Sequence, residues 1–165
     1  MNPLLEQLHP NDPSFWVKIV TTLICGGIIG LERQIRGKPA GIRTSILICL
    51  GTQMFMTMGL ALTFGQTDHT RVVAQVITGI GFLGAGVIMS REGLVTGVTS
   101  AAVIWVLSAI GIAIGMNLIP AAIALTIVTV AVLTGVEILE NSFIRLRQGA
   151  HSRPHGNGRP EQPEG

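Results

Sequence analysis

Apolar positions in this chain do not alternate with polar ones; they run together. Apolar stretches extend roughly from Phe15 to Leu31, Thr44 to Phe64, Val72 to Met89, Val98 to Met116 and Ile119 to Val136. Each is near the length a helix needs to cross a hydrocarbon core about 30 Å thick. No charged residue lies between Gly93 and Val136, and that stretch is too long for one span. Its turn signal, "GMNLIP", contains Gly115, Asn117 and Pro120 and divides it into two helices. The pattern predicts an all-α polytopic membrane helix bundle with about five transmembrane helices.

Composition agrees. Charged residues make up 12% of the 165 and hydrophobic ones 48%, whereas a soluble globule carries about 25% charged residues. A core this small could not bury so much apolar surface, but lipid can cover it. No Lys or Arg precedes Lys18, so the first run reads as a mature helix rather than a cleaved leader. Cys25 and Cys49 both fall inside apolar runs and read as small packing residues. There is no disulfide framework or zinc spacing, and no cofactor, metal or nucleic-acid partner is expected. The expected division is an external segment over 1–14, a membrane domain over 15–144 and a disordered cytoplasmic tail over 145–165. That tail is rich in Pro and Gly and includes His151 and His155.

Basic residues set the orientation. With the first loop in the cytoplasm, Arg33, Arg36, Lys38, Arg43, Arg91, Arg145, Arg147, Arg153 and Arg159 are inside, and Lys18 and Arg71 are outside. The expectation is an external amino terminus and an internal carboxyl terminus.

The stretch "GLERQIRGKPAGIRTS" breaks the apolar pattern. Glu32, Arg33, Arg36, Lys38 and Arg43 fall within twelve residues. Only thirteen uncharged residues separate Lys18 from Glu32. As helix they span roughly 20 Å, short of the membrane core. Lys18 is expected to reach outward along its stem, helped by Trp16 at the interface. Glu32 and Arg33 are then drawn to the inner edge of the slab, where charges need partners. Glu32 and Arg36 stand four apart in the favourable order. Gly37 suits the helix end, and Pro39 the first turn of the next helix. Arg43 would lie in that first turn, against the helix dipole, and needs an anion: Glu32 across the hairpin, a lipid phosphate or a ligand. Ordinary anchoring by lipid phosphates is the plainer account of this cluster.

Asp68, Arg71 and Gln75 fall on one face at the start of the third helix. Asp68 reads as its cap, Arg71 as an interface marker and Gln75 as facing protein rather than lipid. Arg91 and Glu92 mark a second inner turn, "SREGLVTG", read as a solvated loop. Gly26 with Gly30, Gly81 with Ala85, and Gly111 with Gly115 are small-xxx-small pairs that let helices approach closely. "GIGFLGAG" sits inside an apolar run with no strand before it, which excludes a dinucleotide fingerprint. At an offset of 56, Gly30, Gly37, Gly41 and Gly59 meet Gly86, Gly93, Gly97 and Gly115. This suggests two similarly oriented hairpins.

"GGIIGLERQIRGKPAGIRTSILICLG", "RVVAQVITGIGFLGAGVIM" and "GVTSAAVIWVLSAIGIAIG", taken in order from about Cys25 to Gly115, resemble the MgtC/SapB family of bacterial membrane proteins. By this resemblance the family's signature residues are Glu32, Arg33, Gln34, Gly37, Lys38, Gly41, Arg43 and Thr44. A second motif places them at Arg71, Gln75, Gly79, Gly81, Phe82, Gly84 and Gly86. A lipid anchor alone would not need this fixed set of Gly, Glu and Gln. Many members carry His where this chain has Ser45. Several carry a soluble C-terminal domain, which is expected to be absent here. The resemblance implies a multi-pass inner-membrane protein linked to growth at low magnesium and to virulence. It further implies either magnesium transport or regulation of another membrane complex such as the F-type ATP synthase.

Magnesium wants octahedral oxygen ligands, commonly one or two carboxylates with waters. Glu32 and Asp68 are the best carboxylates of the membrane part, and the expected topology sets them near opposite faces. Four cations beside Glu32 favour an anion over a metal ion. No nucleophile and base pair is evident, so an enzyme is not expected. The expected partners are membrane lipid, another inner-membrane complex, or a second copy of the chain. The leading expectation is a regulatory protein of magnesium homeostasis. The alternative is a small transporter or channel with Glu32, Arg33 and Gln75 along a polar path.

Overall fold

A computed structural model describes residues 7–62, 69–91 and 94–149. Within them lie five helices: α1 (Pro13–Ile35), α2 (Ile42–Leu62), α3 (His69–Ala85), α4 (Val98–Gly115) and α5 (Ile119–Gly149). A short hairpin, β1 (Met89–Arg91) and β2 (Leu94–Thr96), separates α3 from α4. Asp68, Glu92 and the tail from residue 150 lie outside the described residues. α1, α2, α4 and the Ile119–Val136 part of α5 are long and apolar enough to cross a membrane. α3, with 17 residues, is shorter, about 25 Å long. The chain divides into two units, Met1–Ala131 and Val132–Gly165. The second contains the end of α5; the helix bundle belongs to the first.

Local chemistry sets the helix ends. Asp12 caps α1 by accepting the Ser14 N–H at 2.7 Å, and Pro13 occupies the first turn. α1 closes with Lys38 N–H bonding Arg33 O and Gly37 N–H bonding Gln34 O, with Gly37 at φ 62°. This is the six-to-one and five-to-two pairing that a left-handed residue permits. α4 ends in the same way: Leu118 N–H bonds Ala113 O, Asn117 N–H bonds Ile114 O, and Asn117 stands at φ 63°. Pro39 is not in the first turn of the second helix. That helix starts at Ile42, after Ala40 at φ 62°.

The bundle is built on glycine contacts. A Cβ on Gly30 would sit 2.6 Å from Ile42 Cα, and one on Gly26 would sit 3.0 Å from Ile46 Cα. α1 and α2 therefore pack backbone to backbone. Gly115 brings α4 against α2 in the same way, 2.6 Å from Met56 Cβ, and a Cβ on Gly111 would collide with Thr52 Oγ1. Cys49 Sγ lies 3.2 Å from Leu107 O, and Thr57 Oγ1 lies 3.4 Å from Gly115 O. Both residue numbers rise together, so α2 and α4 run in the same direction, with α1 antiparallel to them.

Polarity is inverted relative to a soluble protein. Trp16, Ile24, Ile28, Phe55, Trp105 and Ile127 are exposed, while Thr22, Ser45, Thr52, Gln53, Thr57 and Ser108 are buried. An apolar surface this continuous marks contact with lipid. Inside, Thr22, Thr52 and Thr126 bond the carbonyls three or four residues before them.

The structure adds two local details. The exposed flanks of the second turn pair as a short hairpin, a regularity that a solvated loop did not specify. Met89 pairs with Thr96, Ser90 with Val95 and Arg91 with Leu94, and β-branched Val95 and Thr96 suit the pleat. α3 stops at Ala85 rather than Met89, its last turn closing through Gly86 N–H to Phe82 O.

Candidate functional site

The charged turn folds onto the end of the bundle. α1 continues through Glu32 and Arg33, so they project from a helix rather than a loop. Arg36 Nε lies 2.5 Å from Glu32 Oε1, and Arg33 Nη1 lies 3.6 Å from Glu32 Oε2. Arg33 is only 3% exposed and reaches α4, where its Nη2 lies 3.5 Å from Ser100 Oγ. Gln34 extends the other way, and its Oε1 accepts the Ile42 N–H at 3.3 Å at the start of α2. A Cβ on Gly41 would sit 3.0 Å from that same oxygen, close enough that the Gln34 side chain would have to shift. Three helix ends thus meet through Glu32, Arg33, Gln34 and Ser100. Lys38, Arg43 and Thr44 are exposed beside them. The ion pairs of Glu32 are with Arg33 and Arg36, not with Arg43 across the hairpin.

The opposite end holds a site that sequence reasoning missed. Lys18 does not reach outward. It is 2% exposed, and its ammonium donates to Gln7 Oε1 at 2.9 Å and to Gly115 O at 3.3 Å. It thereby satisfies a terminal carbonyl of α4 and suits the negative end of that helix. A cavity of about 240 Å³ adjoins it, bordered by Gln7, Thr57 and Asn117. Trp16 instead donates to Pro10 O at 2.8 Å. The available signal was the spacing of the apolar residues: Thr22, Cys25, Ile29 and Arg33 share the buried face of α1, and Lys18 continues it four residues earlier.

The second polar motif stands apart from the first. Arg71 and Gln75 are exposed and line a groove of about 690 Å³ with Thr52, Phe55, Gly79 and Leu83. Gln75 therefore faces an open groove rather than packed protein.

The glycines divide. Gly26, Gly30, Gly111 and Gly115 hold helix crossings, and Gly84 makes an ordinary 3.8 Å approach to Ala101. A Cβ on Gly86 would meet only Leu83 O and Phe82 O, 3.4 and 3.5 Å away in its own turn. Gly37, Gly79 and Gly81 would meet no atom within 4 Å among the described residues. Gly37 serves its backbone angle, and Gly79 and Gly81 lie on the open face of α3. Gly59, which belongs to none of the small-xxx-small pairs, packs α2 on α3, with a Cβ there 2.7 Å from Val72 Cγ1.

Comparison with known proteins places this architecture. The MgtC family model matches residues 19–142. YhiD of Escherichia coli K12, named "Putative magnesium transporter YhiD", is 41% identical over 126 residues, 72% of this chain and 59% of its own length. MgtC of Brucella abortus strain 2308 is 38% identical over 146 residues, 82% of this chain and 60% of its own length. MgtC of Salmonella typhimurium 14028s is 39% identical over 113 residues, 68% of this chain and 48% of its own length. The chain thus spans about half to three-fifths of the length of these curated relatives. No solved structure matches it. The family match runs from α1 into α5 across four apolar helices long enough to cross a bilayer, so the chain is a multi-pass membrane protein and belongs to the MgtC family.

Proposed function

We propose that this protein serves magnesium homeostasis in the bacterial inner membrane by regulating another membrane complex, not by carrying the ion. The observation that carries this reading is the charge at the end of the bundle. Glu32 is held between Arg33 and Arg36, and Lys38 and Arg43 remain exposed beside it. The set carries one negative and four positive charges, which repels a divalent cation and attracts an acidic partner surface. The magnesium connection is supported by the family and by the name of its Escherichia coli relative. Placing the basic turn in the cytoplasm, with the amino terminus outside, belongs to the same reading. The F-type ATP synthase is one complex of suitable location.

A second reading, a small transporter, has its own support. Gln53 Oε1 and Ser108 Oγ are buried without a hydrogen-bond partner among the described residues, and such groups commonly accompany internal water. Two experiments separate the readings. Purified protein in liposomes should pass no magnesium, and Arg43→Ala should abolish co-purification of a membrane complex while the protein still inserts. Magnesium flux that disappears in Glu32→Gln would overturn regulation in favour of transport.

A further inference from the structure

Arg33 is a buried charge whose printed partners are all distant. A guanidinium carries five N–H donors. Here Nη1 and Nη2 make contacts of 3.6 and 3.5 Å, and Nε has no partner among the described residues. Charge-assisted bonds run about 2.7–2.9 Å, so neither contact is a strong one. Glu32 is shared between two guanidiniums: its Oε1 lies 2.5 Å from Arg36 Nε, and its Oε2 stays 3.6 Å from Arg33 Nη1. A buried cation without close acceptors is strongly unfavourable.

The group that Arg33 approaches is the start of a helix. Ser100 lies in the first turn of α4, which has no acidic residue, and Gly97 at its cap offers no side chain. The first backbone bond of that helix runs from Ala101 N–H to Gly97 O. The N–H groups of Val98, Thr99 and Ser100 have no acceptor among the described residues. The helix cannot acquire its own cap either. Gly97 stands at φ 89°, and a Cβ there would collide with Val87 O. Val98 and Thr99 are exposed, which leaves an approach from outside. A helix start with free N–H groups and a positive dipole end favours an anion.

We propose that the amino terminus of α4, the Ser100 hydroxyl and the buried Arg33 guanidinium together bind a phosphate group. Its oxygens would take the Arg33 donors on one side and the first-turn N–H groups on the other. A free phosphate ion and the head of an anionic phospholipid offer the same chemistry at this depth. The site goes beyond the regulatory reading and does not depend on it.

The test uses the full chain purified in a neutral detergent. Inorganic phosphate is titrated by calorimetry, and phosphatidic acid is compared with phosphatidylcholine by native mass spectrometry. Saturable binding of phosphate, or of phosphatidic acid over phosphatidylcholine, is expected. Arg33→Gln should weaken it by about ten-fold or more, the range lost with a charged hydrogen bond. Thr99→Asp is the second variant. Its carboxylate suits the exposed helix start and should raise thermal stability while weakening binding to a similar degree. Binding of phosphate itself identifies a free-ion site, and binding of phosphatidic acid alone identifies a headgroup site. Absence of both, or binding that persists in Thr99→Asp, overturns the proposal whether or not Arg33→Gln folds.

Discussion

Replacing Gly30 by alanine tests whether close helix approach holds the bundle. The added Cβ would lie 2.6 Å from Ile42 Cα, 2.9 Å from Ser45 Cβ and 3.0 Å from Ile42 N. Carbon atoms rest about 3.5–4.0 Å apart, so α1 and α2 must part by roughly 1 Å at this level. The nearest atom is backbone, and no side-chain rotation relieves it. Overpacking of this kind costs about 1–3 kcal/mol. Alanine also improves helix propensity by about 1 kcal/mol over glycine, which masks part of the cost. Gly79→Ala supplies the control, because a Cβ there would meet no atom within 4 Å among the described residues. The propensity gain is shared, so the difference between the two variants isolates the steric cost. Unfolding by dodecyl sulfate in mild-detergent micelles, followed by far-UV circular dichroism, should rank Gly79→Ala above the native chain and Gly30→Ala below it. Equal midpoints for the two variants would refute the packing argument.

Three further outcomes follow from the same geometry. Lys18→Met keeps the stem but removes the ammonium donor from Gln7 Oε1 and leaves Gly115 O only the 3.4 Å Thr57 hydroxyl, and should lower stability in that titration by about 1–3 kcal/mol. Glu32→Gln removes the counter-charge of buried Arg33, whereas Arg36→Gln removes the more exposed partner. The first should destabilise more than the second, and the reverse order would show that Arg33 draws little from Glu32. Asp12 is held below the usual carboxylate range, first by the Ser14 backbone N–H that it accepts at 2.7 Å. A depressed acid contributes stability above its unfolded pKa and loses it as pH falls through the folded value. The start of α1 should therefore lose amide-exchange protection only in that acid window, and Asp12→Asn should remove the pH dependence.

Much of the charged turn was legible because its causes are local. Apolar length fixed the number of helices, and the pairing of Glu32 with Arg36 needs only a four-residue spacing on one helix. The left-handed ends at Gly37 and Asn117 likewise follow from residues that tolerate positive φ. Lys18 was misread because a lone lysine near a membrane edge has two solutions, reaching outward or bonding inward. The choice depends on Gly115 O, 97 residues away in sequence. Gly79 and Gly30 look alike in a small-residue pattern, and only the position of a neighbouring backbone separates them.

The sequence by itself determined that this chain is a membrane bundle with a charged hinge between its first two spans, because hydrophobic length and helix-end chemistry act within a few residues. Only the tertiary structure decided that Arg33 turns inward to the start of α4, that Lys18 closes the far end of that helix, and that Gly59 joins α2 to α3. Those contacts join residues far apart in sequence, and no local preference specifies which distant helix end a buried charge will meet.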